Sequence, residues 1–293
     1  MRKMLFEVPE DCNGWTLKKF LRNRSGVSGT VLKRAKAGND IYINGSPARV
    51  DSILRPGFTV QIDIIDLPRW KPKAEPGHIH IRYMDEDMYI LDKPAPLACQ
   101  ATPKQPEGTL ENRLCHYYKN EPDFVFRPIN RLDKGTSGLM CCARNSYSCH
   151  ILQRKLHTGE FSREYLAVVE GRMFGEGTIR LPISKEKEAT VKRVIDSCYG
   201  RDAVTHYQVV YTGPNRTLVR LKLETGRTHQ IRVHLSSVGF PIVGDFLYGT
   251  EEPELPGRFA LHSTYLRTLQ PVTGVEIAVE SPLPGELRAL LNV

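Results

Sequence analysis

Leu67-Pro68-Arg69-Trp70-Lys71-Pro72-Lys73-Ala74-Glu75-Pro76-Gly77 divides this chain of 293 residues. Each proline lacks an amide donor and fixes φ, so neither a helix nor a central strand can run through the segment. A linker at 67–77 leaves residues 1–66 for a small module and residues 78–293 for a large one, both within the size range of folded units. Its length also allows the two modules to move relative to each other.

The small module carries its charge unevenly. Leu17, Phe20, Leu21, Val27, Val31 and Leu32 follow a helical period in two pieces that break at Ser25-Gly26. Lys18, Lys19, Arg22, Arg24, Lys33 and Arg34 lie in the same span, which contains no acid. Ile41-Tyr42-Ile43 then reads as a strand entering an Asn44-Gly45 turn, and Val60–Ile65 as another strand. Two basic helices followed by a hairpin form a plausible grip for a phosphate backbone, with a solvated helix pair as the competing reading.

Over the whole chain the formal net charge is +8, which suits a polyanionic partner through counterion release. No run of 18 apolar residues exists, so no membrane-spanning helix is expected. The segment Met1–Glu10 lacks the apolar core of a signal peptide. Seven cysteines at irregular spacing argue against a disulfide framework or a zinc site, and reduced thiols in a cytoplasmic protein are expected.

The large module mixes strand and helix signals without regular alternation. Ile79–Tyr83 and Met88–Leu91 read as strands across an acidic turn, and Leu110–Tyr118 and Tyr147–Leu156 as helices. Tyr165–Val169, Thr205–Tyr211, Leu218–Leu223 and Gly274–Val279 read as further strands. Many strands with a few inserted helices predict an α+β fold.

Arg131-Leu132-Asp133-Lys134-Gly135-Thr136-Ser137-Gly138-Leu139 concentrates the chemistry. The Gly/Thr/Ser composition predicts a tight loop, and a carboxylate on such a loop can project into a cleft. Arg131 supplies a nearby cation that favours the ionised acid and can meet an anionic substrate. On these residues alone, Asp133 is either a nucleophile or general base, or an ordinary turn cap. His229 and His234 are five apart, which does not stack two ligands on one helix face, so no metal is expected there. Gly171, Gly175 and Gly177 lack the context of a dinucleotide loop and read as turns. Asp133 with Glu164 could form a glycosidase pair, but the basic chain disfavours a neutral sugar substrate.

Four ordered segments resemble the RluA-type pseudouridine synthases over roughly residues 78–290. They are Tyr83–Pro94, Arg131–Leu139, Arg163–Gly171, and Gly226–Leu235 followed by Gly244-Asp245. Asn130 stands where that family usually has His, and Arg163 where it usually has Lys. The resemblance implies a mixed, largely antiparallel sheet with a cleft across it, and isomerisation of uridine in structured RNA with no cofactor. It places Asp133 as the essential carboxylate, Tyr165 against the flipped base, and Arg232 as the partner of Asp133, with Arg227 as the rival for that place. Arg131 would contact RNA, and Leu261 would pack on the uracil. Residues 1–66 resemble the RNA-binding module named after ribosomal small-subunit protein four, with Lys18, Lys19, Arg22 and Arg34 as its RNA contacts. Large-subunit ribosomal RNA is the expected target, with transfer RNA as the alternative, and a monomer is expected. A non-catalytic RNA-binding or ribosome-assembly factor is the rival from another functional class.

Overall fold

The computed structural model describes residues 1–68, 70–156, 158–187 and 190–291. Its first elements are β1 (Arg2–Glu7), α1 (Leu17–Asn23), α2 (Gly29–Gly38), β2 (Ile41–Ile43), β3 (Ser46–Pro47) and β4 (Thr59–Ile64). Thr16 and Ser28 cap the two helices by accepting the amides of Lys19 and Val31. Asn44 and Gly45 both take positive φ, as a tight hairpin between β2 and β3 requires. The sheet runs β1-β4-β2-β3 and is antiparallel throughout. Strand β1 was not legible, because Met4 is its only buried residue and the exposed Leu5 interrupts the apolar–polar alternation in the sequence.

The linker does not leave this unit free. Tyr147, from the large module, is buried in the same apolar cluster as Leu17, Phe20 and Val31, and its hydroxyl donates to Ser25 O at 2.9 Å. Buried Asp66 contacts Arg34 at 3.4 Å and Arg127 at 3.1 Å, and accepts the Ser146 amide at 2.8 Å. Arg2 makes a two-pronged contact with Asp87, both bonds 3.0 Å. Between the modules, Glu75 N donates to Asn112 O, and Asn112 Nδ2 donates to Lys73 O. Proline spacing excludes helix and strand from 67–77, but it does not report that the extended chain is stitched to a neighbouring helix. The expected relative motion is therefore corrected to a docked arrangement.

The large module contains β5 (His80–Met84), β6 (Met88–Lys93), α3 (Leu110–Tyr117), β7 (Ser137–Ala143), α4 (Ser146–Lys155), β8 (Ser162–Glu170) and β9 (Glu176–Arg180). After these come β10 (Ile183–Lys185), β11 (Arg193–Ile195), β12 (Val204–Thr212), β13 (Arg216–Leu223), α5 (Gln230–Ser237), β14 (Leu261–Leu269), β15 (Glu276–Glu280) and α6 (Gly285–Ala289). The main sheet runs β5-β6-β7-β14-β8-β13-β12-β9, with β15 beside β14, and β10 pairs with β11 apart from it. Only the short β7–β14 ladder is parallel among these pairs. The fold is α+β. Among the described residues, no helix is long and apolar enough to cross a membrane.

Strand β7 corrects the sequence reading of Gly135–Gly138 as one loop. The turn spans Asp133–Thr136, closed by Thr136 N donating to Asp133 O at 3.1 Å, and Ser137-Gly138 already belong to the strand. Every residue of β7 is buried. Met140 and Cys142 face the cluster that includes Leu110 and Leu114 of α3, while Leu139 and Cys141 face the one that includes Leu152 of α4. A strand covered on both faces shows no alternation, which hid it. Gly138 has φ +109°, and an added Cβ would lie 2.2 Å from Ser263 O, so only glycine permits this approach to β14. Gly171 and Gly175 take positive φ in turns, whereas Gly177 lies inside β9.

Candidate active site

Asp133 enters a cleft of about 850 Å³ from the turn that precedes β7. Arg232 reaches it from the first turn of α5, and its Nη1 lies 3.1 Å from Asp133 Oδ2. The other side of the guanidinium is fully engaged: Nε donates to Asp245 Oδ2 at 2.7 Å and Nη2 to Asp245 Oδ1 at 2.8 Å. Asp245 is wholly buried and also accepts the amides of Leu247 and Tyr248. The Arg232 carbon centre sits 4.1 Å from the Phe259 ring centroid and 5.0 Å from that of Tyr248. Burial alone penalises the Arg232 charge, but bonding to and the charges of Asp245 and Asp133 outweigh it and hold the guanidinium above its ordinary pKa.

Helix α5 was not assigned from the sequence because it is apolar or buried on nearly all sides, from Gln230 to Leu235. Its entry is unusual. His229 adopts φ 58° and ψ 17°, a left-handed conformation uncommon for a residue other than glycine. The imidazole Nε2 lies 3.8 Å from Asp133 Oδ2, the same oxygen that Arg232 engages. Its tautomer follows from the donors around it. Arg193 N donates to the Tyr248 hydroxyl at 2.8 Å, which leaves the phenolic proton for His229 Nδ1 at 2.9 Å. Nδ1 therefore accepts, and Nε2 carries the proton toward Asp133. Burial pushes His229 below its ordinary pKa, Asp133 opposes that, and Arg232 and Arg193 reinforce it. Asp133 Oδ1 has no protein hydrogen-bond partner among the described residues.

The loop that carries Asp133 is held from behind. Lys93 is fully buried, and its ammonium donates to Leu97 O at 2.7 Å, Pro94 O at 3.0 Å and Lys134 O at 3.4 Å. Burial pushes its pKa down to about 8, against the influence of Cys99 and Asp133. Asn130 accepts the Cys141 amide at 2.8 Å, which pins the approach to the turn onto β7. Sequence reasoning assigned no role to Lys93, His229 or Asp245. The signal available for each was membership of a recognised segment, which identifies a motif but not which oxygen a side chain reaches.

The remaining predicted residues divide into two groups. Tyr165, Leu261, Arg131 and Arg227 all line the cleft. Tyr165 and Leu261 are buried, whereas Arg131 is exposed and donates to Gln100 Oε1 at 3.4 Å. Arg227 Nε turns to Asp202 O at 3.0 Å and forms no ion pair with Asp133. Arg163 lines the same cleft two residues before Tyr165, buried, with no hydrogen-bond partner for Nε among the described residues. Burial raises the Tyr165 pKa, and Arg163 offsets part of that. Lys18, Lys19, Arg22 and Arg34 stand outside the cleft, exposed on α1 and α2. Lys19 Nζ sits 4.0 Å from the Trp15 ring centroid, and Arg22 Nη1 donates to Val27 O at 2.7 Å. Glu164 points to the other sheet face, where it meets Arg220 at 3.0 Å, so it cannot pair with Asp133 across a substrate. Both nitrogens of His234 are occupied, by Thr205 Oγ1 and Leu181 O.

The chain is similar in sequence and in fold to known proteins. A family model described as RNA pseudouridylate synthase matches residues 87–237, which contain Asp133, Tyr165 and Arg232. The chain is 35% identical over 284 residues to the uncharacterized RNA pseudouridine synthase YjbO of Bacillus subtilis, covering 94% of this chain and 98% of that one. The chain belongs to the RNA pseudouridylate synthase family. It is also 36% identical over 248 residues to ribosomal large subunit pseudouridine synthase D of Escherichia coli K12, covering 80% of this chain and 75% of that one. The structure of human RNA pseudouridylate synthase domain containing 1 superposes with a TM-score of 0.56 at 28% identity, over 71% of this chain and 86% of that one. The protein is thus an RNA pseudouridine synthase, an isomerase that acts on RNA.

Proposed function

We propose that this synthase isomerises uridine in large-subunit ribosomal RNA, with Asp133 as the carboxylate that breaks the glycosidic bond. The observation that carries the assignment is the divided role of the Asp133 oxygens. Oδ2 is engaged by Arg232 and faced by His229, while Oδ1 is left for the substrate. An ionised carboxylate held this way can attack the sugar or remove a proton from it, and either route lets uracil leave through N1. The detached base turns inside the cleft and bonds to the sugar through carbon 5. Tyr165, buried against the base, takes the carbon 5 proton. Burial makes its phenolate a stronger base once formed, and Arg163 lowers the cost of forming it. Leu261 packs on the uracil, and Arg131 and Arg227 hold flanking phosphates at the mouth. Reaching a stacked base requires flipping it out, and a groove lined by cations and an aromatic suits that task.

Residues 1–66 act in this reading as an RNA-binding module, joined through 67–77 to a catalytic unit at 78–293. Support comes from the separate four-stranded sheet and from exposed Lys18, Lys19 and Arg22 on α1, with Arg34 on α2. Ribosomal RNA is favoured by the likeness to a relative named for the large ribosomal subunit. Tritium release from carbon-5-labelled transcripts tests the target. Release from large-subunit ribosomal RNA, at a site whose pseudouridine disappears in cells lacking the protein, is the expected result. Release from transfer RNA alone would overturn the target.

A further inference from the structure

Helix α4 lies between the small module and the cleft, and its sides can be assigned residue by residue. With 100° per residue, Tyr147 and Ile151 share one side. That side packs on the small module: Tyr147 reaches Ser25, and a Cβ added to Gly26 would lie 2.8 Å from Ile151 Cδ1. Ser148 and Leu152 are buried on a second side. Cys149, Gln153 and Leu156 form a third and line the cleft. His150 and Arg154 occupy the arc that remains, between the cleft side and the module side. Gln153 and Arg154 are exposed and His150 is half-buried.

The chemistry of this arc is one-sided. No acid occurs in Ser146–Lys155. Among the described residues, no carboxylate forms an ion pair with Arg154 or Arg22, whereas Lys155 is paired with Glu160 at 3.5 Å. Arg22 of α1 and Arg154 are both close enough to depress the His150 pKa, after burial as the larger cause. A stripe of exposed Gln153 and Arg154 with half-buried His150 thus continues the cations of α1 toward the cleft that holds Asp133.

We propose that this stripe of α4 is an RNA-backbone contact, holding the strand between the segment gripped by the small module and the flipped uridine. The inference rests on structured RNA being the substrate and adds an element that runs from the rim of the catalytic cleft toward the small module. Arg154 supplies the phosphate contact, with His150 and Gln153 as hydrogen-bonding neighbours. The stripe carries no apolar anchor, which favours a polyanion over a protein partner.

The test uses the full-length enzyme and a large-subunit ribosomal RNA transcript on which the wild type releases tritium. Arg154→Gln should weaken binding about 3- to 10-fold near 0.1 M salt and lower the log–log salt slope by about 0.7–0.9, one phosphate contact. Arg154→Lys should restore the slope, and His150→Gln/Arg154→Gln should weaken binding further. Single-turnover rates at saturating RNA should stay unchanged. Lys222→Gln removes the same charge on the sheet face of Glu164, away from the cleft, and should leave the slope unaltered. An Arg154→Gln enzyme with wild-type affinity and slope would overturn the inference alone. A wild type inactive on every RNA offered would instead sink the substrate reading. An equal effect from Lys222→Gln would reduce the effect to net charge and overturn the contact.

Discussion

Arg232 is clamped by Asp245 on one side and presents a single nitrogen to Asp133 on the other. Two bonds to a fully buried carboxylate fix the guanidinium plane, so its free Nη1 points to one place in the cleft. The Asp245 contact supplies the geometry, and the Asp133 contact uses it. Removing one member of a buried, hydrogen-bonded pair leaves the other charged and unpaired, at a cost of about 3–5 kcal/mol. Asp245→Asn leaves Arg232 with Asp133 as its remaining charged partner, so it should lose part of that stability and most of its activity, although Asp245 does not line the cleft. Arg232→Met should be inactive and less stable. Arg227→Met should raise KM more than it lowers kcat. Denaturant melts and single-turnover rates check this; an inactive Arg227→Met beside an active Arg232→Met would reverse the assignment.

Asp133→Asn keeps the size of the side chain and removes its charge. Turnover should vanish while RNA binding stays within a few-fold of wild type, because Arg131, Arg163 and Arg227 remain in the cleft. Tritium release and filter binding on one preparation check both halves. Appreciable turnover by a verified pure variant would remove Asp133 from the chemistry.

Asp133 was legible as a candidate reactive acid because a turn and a nearby cation stand in the sequence. Its partner was legible only through family resemblance, since Asp133 and Arg232 are brought together by the tertiary fold. The helices of the small module follow from apolar spacing and caps at Thr16 and Ser28. Strand β7 and helix α5 do not, because elements buried on every side lose the alternation that marks a surface. The docking of the modules was equally hidden. It depends on Asp66, Asp87 and Tyr147, whose pairing with distant residues leaves no local pattern.

His229 combines a left-handed backbone with a donor aimed at Asp133 Oδ2, and the two can be separated. Asparagine tolerates the left-handed region but is too short to reach. Glutamine can reach toward the position of Nε2 but pays the backbone cost. If His229 acts through its donor, His229→Asn should stay near wild-type stability and lose at least 10-fold in single-turnover rate. His229→Gln should be less stable yet recover part of the rate. Tyr248→Phe frees the tautomer and should shift the pH–rate profile. Equal rates in the Asn variant and wild type would reduce His229 to a helix start.

Neutralising Lys18, Lys19 and Arg22 tests the small module. Every cation withdrawn from a phosphate should flatten the salt slope by about 0.7–0.9 and weaken binding to many sequences alike. Chemistry at saturating RNA should survive, since Asp133 lies in a separate cleft. Because Arg22 also donates to Val27 O, Arg22→Lys separates the charge from that bond. An unchanged slope after neutralisation would make these helices a solvated face.

The buried histidines predict acid sensitivity before the carboxylates titrate. His234 donates Nε2–H to Leu181 O and accepts at Nδ1 from Thr205, which suits the neutral ring. His262 follows the same logic. Arg258 donates to Ser137 Oγ, whose own proton goes to His262 Nδ1, while Nε2 faces Ser281. Burial lowers both pKa values in the folded state. The unfolded chain, with ordinary histidines near 6.5, then binds more protons than the folded one as pH falls below that value. Stability is fully present above about pH 7 and declines as pH falls below about 6.5, at up to about 1.4 kcal/mol per pH unit for each histidine that stays neutral. Urea melts across this window measure the slope. His234→Gln should lower stability at pH 7.5 yet flatten the decline, because the group that takes up the proton on unfolding is gone. A slope identical to wild type in that variant would show that His234 protonates as readily folded as unfolded.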